Sequence, residues 1–173
     1  MIVICKLGCR YVVFSDLDEF LVPRGDQLND WTDLARALER PMSAGFQFLS
    51  AFFDPGRVAR QVPAQARDDL AGDLLTMRAT QRSQHFSSIR TKCMVQPYLI
   101  FEAGIHHVSK PIWAQLAVDR VDTAVAVLHH YRKCLGMYGM NCVGVVDDST
   151  MRRYQDQLTR AVSQVSTELV NIL

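Results

Sequence analysis

The stretch Tyr11–Pro23, YVVFSDLDEFLVP, constrains what this chain can fold into more than any other. Apolar and aromatic residues run up to three carboxylates, Asp16, Asp18 and Glu19, and a proline ends the element. A near-continuous apolar run of this kind reads as a strand buried on both faces of an α/β sheet. Its carboxylates then emerge at the carboxyl edge, where open α/β folds place their ligands. Asp16 and Asp18 are two residues apart, so on an extended chain they point the same way. Two like charges converging on one spot repel unless something positive lies between them. A divalent cation that prefers hard oxygen ligands, Mg²⁺ or Mn²⁺, fills that role and usually accompanies a phosphate. A D-x-D pair also suits a loop, an N-cap or a solvated turn; the apolar context favours the metal.

The 173 residues suffice for one domain with a real core, so 1–173 reads as a single unit. Apolar residues make up 49% and charged residues 21%, a globular rather than a disordered balance. A net charge of +1 gives no electrostatic case for nucleic acid or an anionic membrane surface as partner. No apolar run approaches the roughly 20 residues of a spanning helix, and Met1–Cys5 is too short for a signal core. The five cysteines form no C-x-x-C pair, which argues against structural zinc and leaves the compartment open.

Asp30 suits the N-cap of a helix in which Trp31, Leu34, Ala35 and Leu38 share a face, with Pro41 as its stop. Trp31 then reads as a core anchor, not a ligand platform. Gly45–Phe53 is a strand candidate closed by the turn Asp54-Pro55-Gly56. Residues 57–73 read as a polar loop with one helical turn. Leu74–Thr80, Ile89–Val95 and part of Tyr98–Val108 are further strand candidates. Arg78, Arg82, His85 and Arg90 form either a solvated basic loop or a phosphate contact. Ala124–Tyr131 reads as a strand with His130 and Arg132 on one face and His129 and Tyr131 on the other. From Met151 to Ile172 an apolar stripe at helical spacing predicts a docking helix over about 149–172, capped by Asp148 or Ser149.

Four features have the chemistry of one site: Asp16 with Asp18, Lys92, His106 with His107, and His130 with Arg132. A metal–diphosphate site needs carboxylates for the ion, accepts imidazole as a further ligand, and uses Arg or Lys against the departing phosphate. Histidines at strand ends also serve as plain hydrogen-bonded structure.

Three segments in order, VVFSDLDEFLVP, SIRTKCMVQPYLIFEAGIHHVSKP and AVLHHYRKC, resemble glycosyltransferase family 92 from about Tyr11 to about Cys134. The resemblance implies a GT-A-like α/β fold, a mixed sheet flanked by helices and ending in a long amphipathic helix. It implies transfer of a sugar, typically galactose, from a UDP-sugar donor to a glycan acceptor with inversion. The cofactor would be a divalent metal, usually manganese, and the setting the Golgi lumen, with a membrane anchor in a segment absent from this chain. Carried over, Asp16 and Asp18 match the metal-binding D-x-D, with His130 as third ligand and Arg132 against the diphosphate. Lys92 matches the family lysine, and His107 or His106 the family histidine, in substrate binding.

Gln96 stands where the family carries a basic residue, and the insert at 57–73 matches no family pattern. A GT-A fold builds its uridine pocket from strands ahead of the D-x-D, so the sheet is expected to be incomplete on its amino-terminal side. A catalytically inactive remnant or carbohydrate-binding module is the alternative. No general base is identified; Asp54 and Glu102 are candidates. A haloacid-dehalogenase-like phosphatase is a second alternative, with Val143–Asp148 as its later acidic motif. Phe20 argues against it, standing where that class needs a small residue.

Overall fold

The computed structural model describes residues 8–58, 74–134 and 143–170. Its elements are β1 (Val12–Val13), β2 (Glu19–Pro23), α1 (Trp31–Leu38), β3 (Ser43–Phe53), α2 (Pro55–Val58), α3 (Leu75–Arg78), β4 (Gln81–Ser83) and β5 (Ser87–Val95). A 3-10 turn at Pro97–Leu99 leads to β6 (Ile100–Ala103), β7 (Val108–Pro111), β8 (Ala117–Arg120), β9 (Ala126–Tyr131) and β10 (Val145–Asp147). A second 3-10 turn, Thr150–Tyr154, opens into α4 (Gln155–Val170). The mixed α/β class expected from the sequence is what forms.

Among the described residues β3 is the spine of an eight-stranded mixed sheet. All its residues but Gln47 and Leu49 are buried, as a strand covered on both faces requires. β5 pairs with it antiparallel, from Gly45↔Val95 to Phe48↔Lys92. Gly45 is needed there, because a Cβ would stand 2.7 Å from the Met94 carbonyl oxygen. On the other side two strands follow one another in parallel: β8 beside Ser43–Gln47 and β9 beside Ser50–Phe53. β1 adds to β5 and β2 to β9, both antiparallel. β4 meets the end of β3 and carries β10, while β6 and β7 form a separate hairpin.

The opening stretch is therefore not one buried strand. It breaks into two short ones, and among the described residues neither has a parallel neighbour. The break is a turn in which Glu19 N donates to Asp16 O at 3.1 Å and Ser15 Oγ to Glu19 O at 2.9 Å. The D-x-D lies in that turn, with Leu17 at its tip 81% exposed.

Strand alternation sorts the side chains onto two faces. Leu21, Phe46, Phe48, Met94 and Leu128 point to the face covered by Leu34 and Leu38 of α1. Burying each of those two leucines is worth about 1.5–3 kcal/mol. The opposite face holds Ala51, Phe53, Val127 and Tyr131, and farther along Val12, Cys93 and Val95 beneath the β6–β7 hairpin. His129 belongs to that second face, its ring tilted against Phe53 with centroids 4.4 Å apart. Burial drives its pKa down to about 3, so it is a neutral core residue.

Asp30 caps α1 as expected, its Oδ1 accepting from Asp33 N at 2.9 Å. Trp31 is not a core anchor. It is 48% exposed, and its indole N–H donates to Leu21 O at 2.9 Å. Among the described strands β2 pairs only with β9, so Trp31 covers a strand with an open side instead of entering the core. Leu74–Thr80 is not a strand: Leu75–Arg78 make one helical turn that buries Met77 against Val22 and Met151. A short apolar run does not distinguish the two states by periodicity. Of the polar loop at 57–73, α2 takes the first two residues and 59–73 lie outside the described residues.

Ser149 is the N-cap of the terminal helical segment and makes no side-chain capping bond; Asp148 before it takes the first-turn donors instead, accepting from Thr150 N at 3.2 Å and Thr150 Oγ1 at 2.6 Å. The docking helix predicted there docks only at its start. Met151, Tyr154 and Leu158 pack with Val22, Leu74 and Met77, and beyond them the stripe turns outward, leaving Val165 54% exposed.

Candidate active site

Glu19 is the first residue of β2 and shares the face of Leu21, so its carboxylate turns inward where the apolar core ends. It is 4% exposed. In register it lies opposite His130 of β9. Lys92 of β5, on the same face as Met94, reaches the same spot and is 1% exposed. Its ammonium lies 3.0 Å from Glu19 Oε2 and donates to Asp16 Oδ2 at 3.0 Å. Glu19 Oε2 also accepts from Asp16 N at 2.9 Å, tying the acidic turn to the strand below it. Tyr131 N donates to Asp18 O at 2.8 Å and fixes the other end of the turn.

His130 stands between two carboxylates. Its Nε2 is 3.5 Å from Asp18 Oδ2 and its Nδ1 is 3.5 Å from Glu19 Oε1. Among the described residues neither ring nitrogen has a hydrogen-bond partner, and neither does Glu19 Oε1. Burial lowers the pKa of His130 against the pull of Glu19 and Asp18, which favours the neutral ring. A neutral imidazole carries one N–H and can satisfy only one carboxylate. The other nitrogen then presents a lone pair to a carboxylate oxygen, an arrangement that a proton, a water or a cation between them would relieve. A proton on Nδ1, facing the buried Glu19, leaves Nε2 and the half-exposed Asp18 as the donor pair. A carboxylate behind a ligating imidazole is the usual second partner of such a histidine.

Charge agrees with this. Three carboxylates face one ammonium here, leaving formal negative charge in excess. Burial works against the Lys92 ammonium, but its bonds to Glu19 and Asp16 outweigh that and raise its pKa. The Lys92 hydrogen bond in turn holds Asp16 below the usual carboxylate range. Among the described residues no three His, Cys, Asp or Glu side chains are gathered into a complete metal shell. Asp18 and His130 fit a cation as two donors, while Asp16 is engaged by Lys92.

Beside the acidic turn lies a cavity of about 830 Å³ between the β1–β2 connection and α1. Asp16 and Glu19 line it at one side and Trp31, Thr32 and Arg36 at the other, with Tyr11 between.

Of the residues singled out in the sequence, Asp16, Asp18, Lys92 and His130 come together. Arg132 follows the end of β9, exposed, with its backbone N bonded to Phe53 O at 3.1 Å, and its charge acts to lower the pKa of His130. His107 does not join the cluster: it is exposed, with Nε2 3.3 Å from Ser109 Oγ in its own hairpin. His106 Nδ1 lies 3.1 Å from Thr91 O, and Thr91 Oγ1 donates to His106 O. Cys93 and Val95 carry the hairpin on the face opposite Lys92. Glu102 belongs to that hairpin and is exposed. Asp54 Oδ1 accepts from Gly56 N at 2.8 Å in its own turn. In the basic segment, Arg82 bonds Asp148 at 2.8 Å and covers the Phe86 ring, a structural role.

Glu19 was missed as a site residue. The signal for it was the alternation of β2, which places it inside with Leu21 while Phe20 turns away.

A mixed α/β sheet thus places a carboxylate-rich turn over a buried lysine and histidine, beside an open cavity. The chain belongs to glycosyltransferase family 92, whose sequence pattern matches residues 5–163. No individual curated protein gives a significant match. The phosphatase alternative loses its footing, because the strands flanking the D-x-D are antiparallel to their neighbours and Asp148 is held by Arg24 and Arg82.

Proposed function

We propose that the cluster is the metal–diphosphate end of a sugar-transfer site. A hexose, galactose by resemblance to the family, passes from a UDP-sugar to a hydroxyl of a glycan acceptor with inversion. The observation that carries the reading is His130, neutral and set between Asp18 and Glu19 with neither ring nitrogen partnered among the described residues.

Asp18 and His130 would hold the divalent ion, Mn²⁺ by resemblance, with Asp16 as the neighbouring carboxylate. When bound, that ion supplies charge neutralisation for the departing diphosphate. Glu19 orients the imidazole and anchors Lys92. Lys92 holds Asp16 in place, so the acidic turn keeps one shape. Arg132, beside His130, adds positive charge on the side open to solvent. In an inverting transfer the acceptor hydroxyl attacks the anomeric carbon in line with the leaving group, so the acceptor has to approach from the far side of the sugar.

A glycan acceptor fits the Golgi lumen. Among the described residues no helix is long and apolar enough to cross a membrane, so attachment through a segment outside them belongs to the same proposal.

Calorimetric titration with UDP-galactose, with and without Mn²⁺, tests the reading. Binding is expected only with the metal, and Asp18→Ala should weaken it by at least about 100-fold, the upper end for lost support of a metal ligand. No binding in either condition would overturn the transferase reading and leave the inactive or carbohydrate-binding alternative.

A further inference from the structure

The cavity between the acidic turn and α1 has a use that the metal cluster does not absorb. Trp31 sits on its wall with nearly half its surface open, and the bond from its indole N–H to Leu21 O fixes the ring's orientation. A core tryptophan would be covered, and a freely exposed one would not be tethered. A tethered, open ring is how aromatic side chains present an apolar face beside polar neighbours.

Tyr11 also lines the cavity, its ring tilted on Phe46 at 6.1 Å between centroids. Its hydroxyl is buried, and among the described residues it has no hydrogen-bond partner. A buried hydroxyl without a partner costs about 1–3 kcal/mol, but this one has no accessible surface, so Tyr11 offers the cavity its ring and not its hydroxyl. Thr32 and Arg36 add polar groups on the α1 side.

Charge decides between occupants. The lining holds the carboxylates of Asp16, Glu19 and Glu39 against the guanidinium groups of Arg10 and Arg36, and Arg10 is already paired with Glu39. That balance does not attract a nucleotide, which brings two phosphates of its own. It suits a neutral polyol with an apolar ring face. The volume of about 830 Å³ lies within the range of roughly 300–1,000 Å³ usual for ligand sites.

We infer that this cavity is the acceptor subsite, holding a pyranose ring of the glycan against Trp31 with its hydroxyls toward Thr32 and Arg36. The inference rests on the proposed transferase reading for the word acceptor, but the sugar site itself stands on the cavity alone. Its wall reaches Asp16 and Glu19, so a sugar bound there lies next to the metal cluster.

Saturation-transfer NMR on the full chain tests it, with methyl β-galactoside, methyl β-N-acetylglucosaminide and methyl α-mannoside as probes and UDP-galactose plus Mn²⁺ as a parallel arm. At least one glycoside should give a signal that UDP does not displace. Thr32→Trp fills the cavity without touching the Trp31 tether, and it should cut that signal at least fivefold. Trp31→Ala should do the same, while Trp31→Phe keeps about half. A glycoside signal unchanged by Thr32→Trp, or none from any probe, overturns the inference. So does loss of UDP binding alone in Thr32→Trp, which would assign the cavity to the nucleoside. Glycoside binding at Trp31 with no UDP binding under any condition keeps the sugar site and overturns the transferase reading.

Discussion

Two buried charge clusters lie in this sheet, and they are built differently. Asp148, just past β10, receives Arg24 and Arg82 at 2.8 Å each on one oxygen and Thr150 on the other. Both of its oxygens are used. The cluster around Glu19 brings together more charge and leaves Glu19 Oε1 and both nitrogens of His130 without hydrogen bonds among the described residues. A fold that completes one buried carboxylate and leaves another incomplete marks the second as a place where something else arrives. Buried polar atoms in proteins mostly find a partner; the Tyr11 hydroxyl, Ser50 Oγ and His129 Nε2 also lack one among the described residues, but only the Glu19 cluster gathers three such atoms around charged groups.

The largest effect should come from breaking the completed cluster. Asp148→Ala leaves two arginines facing each other without their counter-charge, and about 3–5 kcal/mol of stability should be lost. The midpoint of urea unfolding would show it, while Mn²⁺-dependent binding by the folded fraction stays within about twofold. The incomplete cluster should respond in the opposite sense. Glu19→Gln is expected to weaken Mn²⁺ affinity about 10–100-fold by calorimetry, with a smaller stability loss of about 1–3 kcal/mol. If instead it destabilises the protein as much as Asp148→Ala and leaves metal affinity unchanged, the two clusters are of one kind.

Acid should sharpen the contrast further. Burial works to raise the pKa of Asp148, but the Thr150 hydrogen bond, the charge of Arg24 and the Arg82 hydrogen bond carry it well below the carboxylate range. A depressed carboxylate contributes stability above its unfolded pKa of about 4 and loses it as pH falls through the folded value. The urea midpoint should therefore decline below about pH 4, and less steeply in Asp148→Asn. The smallest effect belongs to the hairpin: His107→Ala should change both stability and UDP-galactose binding by less than about twofold. A larger loss of binding would return His107 to the site.

What the chain discloses in advance follows the range of the interactions involved. Asp30 and the spacing of Leu34 and Leu38 give α1 because a helix and its cap are local. β3 and β9 are legible in their apolar runs, and with β9 comes the inward face of His130. Asp148 was read as a cap and as part of the phosphatase alternative's acidic motif, not as the centre of an ionic cluster, since its ionic partners are 124 and 66 residues away in sequence. The pairing of β1 and β2 was misread for a related reason. Apolar residues on both sides of the D-x-D look like one strand until the Glu19–Asp16 bond closes a turn between them. His106 and His107 carry the residue type of a site, but Thr91 and Cys93 fix their hairpin to the face away from Lys92, and residue type alone does not report the face.

The acidic turn has one more consequence. Ser15, Asp16, Asp18 and Glu19 are held by hydrogen bonds to the turn itself, to Tyr131 N and to Lys92, with Leu17 alone standing out from its tip. The entropy of ordering that loop is thus spent when the chain folds, not when a ligand arrives. Under the proposed function, binding at Asp18 and His130 should proceed with little conformational entropy change in the loop. The affinity there would then be set by the charge and ligand preference of the ion, with no contribution from closure of the chain around it.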